Sequence, residues 1–209
     1  MTRILAATDP RAIPLAAEAL RRGEVVAFPT DTVYGLGAAL FQEKAVHALY
    51  EIKGRPEGKA IPVLLADAGD VPQVAMRVSE TAQRLMAAFW PGPLTLVLEA
   101  QPHIPAVVRA GGPTVAVRVP DHWVVRALIA ATGEPLATTS ANRSGAAEAQ
   151  TAAEVVAQLG EQVPWVIDGG KSPGGTPSTV LDVTVDPPVI RRRGALSEEA
   201  LRPFLVRGN

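Results

Sequence analysis

Short apolar runs alternate along this chain with ten- to twelve-residue stretches of helical periodicity, and Pro, Gly or a polar cluster closes most of them. Helical spacing predicts helices over 13–22, 42–53, 79–89, 121–132 and 151–159, with a last one from Ser197. Gly23 marks a C-cap, Gly54 and Pro56 stop the second helix, Ser79 and Pro91 bound the third, and Asp121 is an N-cap candidate. Strand candidates fall at 24–28, 61–65, 94–98, 114–119, 136–139, 163–167, 178–184 and 188–192. Helices and strands interleave without a strict βαβ rhythm, and the last two strands, joined around Asp186-Pro187, read as an antiparallel pair. These patterns predict an α/β or α+β fold, a mixed parallel/antiparallel sheet with helices packed on it.

With 209 residues, no internal repeat and no linker-like tract, the expectation is a single domain over 1–209. Twenty basic against twenty-one acidic residues leave no bulk charge to attract nucleic acid, although Arg191-Arg192-Arg193 is a local basic run. The cysteine count of zero excludes disulfides, thiolate nucleophiles and Cys-based zinc sites. His47, His103 and His122 lie far apart, so no metal site is expected from them. Asp9 and Pro10 interrupt the N-terminal apolar stretch, and no window approaches the ~18 uncharged apolar residues of a membrane span. A soluble, cytoplasmic protein without membrane partners is the expectation.

Three segments concentrate hydroxyls, amides, glycines and cations: Pro29–Gly37, Lys53–Pro56 and Thr138–Gly145. In the first, Thr30, Asp31, Thr32 and Tyr34 supply hydrogen-bonding groups, and Gly35 and Gly37 permit close backbone approach or positive φ. The bland alternative is a capped loop in which Asp31 closes an Asx turn. In the second, Lys53, Arg55 and nearby Lys59 form a polyphosphate clamp or merely offset a helix dipole. In the third, Thr138, Thr139, Ser140, Asn142 and Ser144 either orient an anionic ligand or form a turn before the next helix. Polar groups set where strands and helices end suit an anionic ligand better than a packed core.

Arg118 breaks the run Val115-Ala116-Val117-Arg118-Val119 and, in strict alternation, points away from the valines. An arginine on a buried strand needs an anionic partner from the protein or from a ligand. Arg192 ends a basic run that more often solvates a sheet edge. Gly169-Gly170-Lys171-Ser172-Pro173-Gly174-Gly175 has phosphate-loop residues without GxxxxGK[ST] spacing or a following helix.

In this order, the segments Pro29–Gly37, Lys53–Pro56, Trp90–Thr95, Val115–Pro120, Thr139–Gly145 and Pro177–Asp182 resemble the threonylcarbamoyl-adenylate synthase family with its YrdC-like fold, over about 12–193. That resemblance implies a twisted, open sheet flanked by helices, with a basic concave face. It further implies a nucleotidyltransferase that combines L-threonine, bicarbonate and ATP into threonylcarbamoyl-AMP and pyrophosphate. The product would serve threonylcarbamoyladenosine formation at position 37 of tRNA. Mg²⁺ is implied with ATP, and no organic cofactor; downstream threonylcarbamoyl transferase proteins are the implied partners, with tRNA contact left open.

Carried over residue by residue, Lys53, Arg55, Ser140 and Asn142 are the implied catalytic set. Thr32, Arg118, Thr138 and Ser178 are the implied threonine-binding residues, with Arg118 holding the carboxylate. Lys53, Arg55, Lys59, Thr114, Ser140, Asn142 and Arg192 are the implied ATP-binding residues. Leu64 stands where many longer members carry a His, and Glu148 where they carry a Ser. The length is similar to that of the short, single-domain type. An RNA-binding module of the same fold without turnover is the alternative, as is the related domain of hydrogenase maturation factors, whose zinc-finger-like segments have no counterpart here.

Overall fold

A computed structural model of the chain describes residues 1–56 and 58–205. Ten strands form one sheet: β1 (Arg3–Ala6), β2 (Val26–Phe28), β3 (Gly35–Ala39), β4 (Val63–Leu64), β5 (Leu94–Glu99), β6 (Thr114–Arg118), β7 (Leu136–Ser140), β8 (Trp165–Asp168), β9 (Thr179–Asp182) and β10 (Val189–Arg192). Their spatial order is β1-β8-β2-β3-β7-β4-β6-β5-β9-β10. Pairing is parallel for β1/β8, β2/β8, β4/β6 and β5/β9, and antiparallel for β2/β3, β3/β7, β4/β7, β5/β6 and β9/β10. The mixed sheet expected from the sequence is therefore present, including the antiparallel last pair.

Among the described residues, six α-helices accompany the sheet: α1 (Ala12–Arg21), α2 (Glu43–Lys53), α3 (Glu80–Phe89), α4 (Trp123–Thr132), α5 (Ala152–Leu159) and α6 (Glu198–Leu201). Side-chain oxygens of Ser79, Thr151 and Ser197 accept from backbone N–H groups in the first turns of α3, α5 and α6. The expected cap Asp121 gives way to His122, whose Nδ1 accepts from Val124 N at 3.3 Å. Left-handed Gly54 and Gly133 end α2 and α4.

Two elements depart from the sequence reading. β1 forms at one sheet edge, where the stretch before Asp9 and Pro10 carries no polar/apolar alternation to announce it. The second half of Pro29–Gly37 is strand β3 rather than loop, with Gly35 and Gly37 in extended backbone. Close approach is what these glycines allow, since a Cβ on Gly35 would lie 2.9 Å from the Phe28 ring and one on Gly37 2.8 Å from it.

The two sheet faces are covered unequally. On one, α2, α3 and α5 bury Leu49, Leu85 and Val155 against Leu36, Val63, Leu96 and Val117. On the other, α1 and α4 pack together and bury Leu20, Val125 and Leu128 against Phe28, Leu136 and Ile167, leaving β5, β6 and β9 without a helix from this pair. Period-two alternation then decides what the uncovered part displays: Val115 and Val117 of β6 enter the first core, while Ala116 and Arg118 face the hollow on the opposite side.

Candidate active site

A cavity of about 290 Å³ occupies this hollow. Its polar lining comes from Thr30, Thr32, Arg55, Thr95, Arg118, Thr138, Thr139, Ser140, Ser178 and Arg192, and its apolar wall from Val33, Pro62, Leu64, Val97, Ala116 and Val180 among others. Three guanidiniums and several hydroxyls thus meet in one concavity, and the described lining holds no carboxylate. Small side chains at Gly35, Ala116 and Ser140 leave the space that larger ones would fill.

Arg118, at the end of β6, is 5% exposed. Its Nε donates to Gly92 O at 2.9 Å, its Nη1 to Thr32 Oγ1 at 3.0 Å, and its Nη2 to Asp31 Oδ1. Asp31 is therefore more than the turn residue of the bland sequence reading, because it is the internal counter-ion that the buried arginine requires. Burial draws the guanidinium below its usual range, and Asp31 opposes that pull. Thr30 anchors the same turn: its Oγ1 donates to Val33 O at 2.6 Å and lies 3.0 Å from Thr32 Oγ1.

Across the hollow, Ser178 Oγ lies 2.7 Å from Thr95 Oγ1. Arg192 reaches in from edge strand β10 and donates through Nη2 to Ser178 O at 2.9 Å and to Ser178 Oγ at 3.2 Å. It is thus directed into the cavity rather than out along the edge. Burial lowers its pKa, Glu148 raises it, and Arg118 and Arg55 lower it further, as a cluster of like charges must. Arg55 follows the left-handed Gly54; its Nη2 donates to Ala60 O at 3.0 Å, while its Nε is buried without a partner. A guanidinium N–H left unsatisfied at a cavity wall is a donor awaiting an acceptor.

Lys53 and Asn142 stand directly behind the cavity wall, against Ser140. Lys53 Nζ donates to Ser140 O at 2.7 Å, Ser140 Oγ at 3.2 Å, Asn142 O at 2.9 Å and Asn142 Oδ1 at 2.9 Å. Asn142 Nδ2 donates to Ala146 O at 2.7 Å. The pair shapes the turn after β7 that presents Ser140. Burial pushes the Lys53 ammonium down to about 8, against the raising influence of Glu148.

Lys59 is exposed and Thr114 half-buried, and neither lines the cavity. Thr138 does, as do Thr32 and Ser178. Sequence reasoning named Thr30 as a hydrogen-bonding group without giving it a role, and it gave Thr95 none; Thr95 had a signal, since it alternates with Leu94 and Leu96 on β5 and so faces away from the core. Leu64 lines the wall as an apolar residue. Glu148 stays off the lining, with Oε2 buried and unpaired, within electrostatic reach of Lys53 and Arg192. The loop Gly169–Gly175 braces the first segment: Tyr34 Oη donates to Gly170 O at 2.8 Å, and Gly175 N to Thr32 O at 2.8 Å.

Among the described residues no three His, Cys, Asp or Glu side chains gather to hold a metal ion, and no helix is long and apolar enough to cross a membrane.

Comparison with known proteins places this geometry among relatives. The Sua5/YciO/YrdC family, described as telomere recombination, matches residues 18–194. A threonylcarbamoyl-AMP synthase of Pyrococcus abyssi is 41% identical over 92% of this chain and 57% of its own length, and that of Bacillus subtilis is 42% identical over 98% and 59%. The chain thus spans less than two thirds of these relatives. The crystal structure of P. abyssi Sua5 complexed with L-threonine superposes with a TM-score of 0.95 at 39% identity, covering 98% of this chain and 61% of that one. By family match, identity and fold alike, the chain belongs to the Sua5/YciO/YrdC family.

Proposed function

We propose that this cavity makes threonylcarbamoyl-AMP and pyrophosphate from L-threonine, bicarbonate and ATP, a nucleotidyl transfer. The convergence of Arg55, Arg118 and Arg192 with Thr32, Ser140 and Ser178 in a single cavity carries the reading. The names of the relatives and the L-threonine complex of P. abyssi Sua5 support it.

Bicarbonate takes up a proton and loses water to give carbon dioxide. Threonine's ammonium loses a proton, and the free amine adds to the carbon dioxide and sheds a second proton, so that the net step forms a carbamate and releases water and one proton. A carbamate oxygen then attacks the α-phosphorus of ATP, and the bond to the pyrophosphate oxygen breaks. All reactants at the second step are anionic, so the arginines offset their repulsion and the charge that grows on the leaving group. Arg118 offers its remaining N–H groups to the amino-acid carboxylate, beside Thr32. Arg55, with its unpaired Nε, and Arg192 face the phosphates. Lys53 and Asn142 hold the Ser140 turn in place, so their part is positioning. Mg²⁺ would come with the ATP substrate and would offset phosphate charge beside the arginines.

Downstream transfer of the product to tRNA by separate proteins, in the cytoplasm, belongs to the same proposal. The test is pyrophosphate release by the pure protein, expected only when threonine, bicarbonate and ATP are all present. Release without threonine, or none at all, would refute the reaction, and RNA retention without turnover would favour a binding module.

A further inference from the structure

The Arg118 guanidinium is already matched to a carboxylate before any ligand arrives. Asp31 accepts from Nη2, Thr32 Oγ1 from Nη1 and Gly92 O from Nε, so the arginine is fixed on three sides, and the two ionic side chains are only 7% and 13% exposed. Asp31 itself is held by its backbone. Gly174 packs so closely that a Cβ there would lie 2.9 Å from Asp31 O and 3.0 Å from Thr32 Cα, while Gly175 N donates to Thr32 O at 2.8 Å. His122, near enough to feel Asp31, is held by burial below its usual range, which disfavours its cationic form beside the aspartate.

We propose that Asp31 sets the charge balance of the amino-acid subsite, so that the pocket at Arg118 admits a zwitterionic α-amino acid and rejects a carboxylate lacking the ammonium group. Arg118 and Asp31 together are neutral. Asp31 repels a bare carboxylate placed on Arg118, whereas a zwitterion brings an ammonium that Asp31 attracts, in a half-enclosed, poorly screened site. Arg55 and Arg192 line the same cavity and attract either carboxylate, but they repel the ammonium, so the preference for the zwitterion comes from Asp31. The same balance gives the reaction a direction. Carbamate formation removes the ammonium charge and creates an anion, which Asp31 repels towards Arg55 and Arg192, where the phosphates are proposed to lie.

This inference rests on reading the cavity as an amino-acid site, and binding measured without ATP separates the two. Calorimetry should show 3-hydroxybutyrate, threonine without its amino group, binding the wild-type protein at least tenfold more weakly than L-threonine. In Asp31→Asn the gap should shrink to threefold or less, while Asp31→Glu, which keeps the charge, should preserve it. A gap unchanged in Asp31→Asn, or equal binding of the two ligands by the wild type, overturns the proposal. Were Asp31→Asn to unfold, Asp31→Glu decides: a preserved tenfold gap supports the proposal and equal binding refutes it. A wild-type protein that binds no threonine instead refutes the amino-acid reading. A purely structural role for Asp31 would weaken both ligands alike and leave their ratio unmoved.

Discussion

Lys53 offers a test in which stability and activity move in opposite directions. Its side chain is 6% exposed, and its ammonium faces four acceptors on Ser140 and Asn142. Burial pushes its pKa from 10.5 down to about 8. At ~1.36 kcal/mol per pH unit, that gap sets roughly 3 kcal/mol against the charged form in the folded protein. Below pH 8 the folded and unfolded chains both carry the proton, and the folded state bears this cost in full. Between pH 8 and 10.5 the unfolded chain keeps a proton that the folded chain releases, so Lys53 makes folding more favourable as pH rises. The site responds the other way. A neutral amine has two N–H donors for the same acceptors, so the turn presenting Ser140 loosens and kcat/KM falls above about pH 8. Tyr34 does not confuse the comparison below pH 10: burial raises its pKa from 10.0 to about 12, so its contribution is intact below 10 and is lost only above it. The assay is pyrophosphate release from about pH 6.5 to 10, with urea midpoints measured in parallel. Activity should decline with an inflection near 8 while the midpoint holds or rises. Lys53→Arg, which does not titrate in this range, should lack the inflection. An inflection at or above about pH 9.5, or a midpoint that falls in step with activity, would refute the assignment.

Two further outcomes follow from the packing and charge of the site. Gly37→Ala places a Cβ 2.8 Å from the Phe28 ring and 3.3 Å from Thr138 Oγ1, which should cost about 1–3 kcal/mol and lower the Tm by several degrees; Phe28→Leu added to the same chain should restore part of the loss, and an unchanged Tm would count against the contact. Glu148→Gln removes the carboxylate that faces Lys53 and Arg192, so pyrophosphate and ATP should bind about three- to tenfold more tightly at low salt, with a smaller gain at high salt. Weaker or unchanged binding would show that Glu148 does not compete with phosphate.

How much of this was legible beforehand varied with the physics involved. Strands β5, β6 and β7 showed because each runs into Pro or a polar cluster after an apolar stretch, and Arg118 announced its direction because alternation fixes which face a residue takes. Strand β3 stayed hidden: Gly-Leu-Gly-Ala-Ala has little strand propensity, and it is strand only because β2 and β7 flank it and the Phe28 ring lies across its glycines. The Asp31–Arg118 pair joins residues 87 apart, a distance over which sequence spacing carries no geometric information. Lys53 illustrates the same limit from the other side. Its charge was plain in the sequence, but its partners, the carbonyls of Ser140 and Asn142, lie 87 and 89 residues away.

The site lies where it does because the sheet's second face is only partly covered. Helices α1 and α4 cover the side of β2, β3, β7 and β8, packing Leu20, Val125 and Leu128 on Phe28, and that part of the face is closed. Beyond Leu64, which belongs both to this core and to the cavity wall, the residues taking the same face are Thr95, Ala116, Arg118, Thr138 and Val180. A helix laid across them would have to bury hydroxyls and a guanidinium without water, at a cost of several kcal/mol unless each found a partner. The chain instead supplies partners from loops, Asp31 and Thr32 on one side and Ser178 and Arg192 on the other, and leaves the middle open. An anionic ligand entering that space therefore completes hydrogen bonds that the fold has left unmade, beginning with the Arg55 Nε that has no partner.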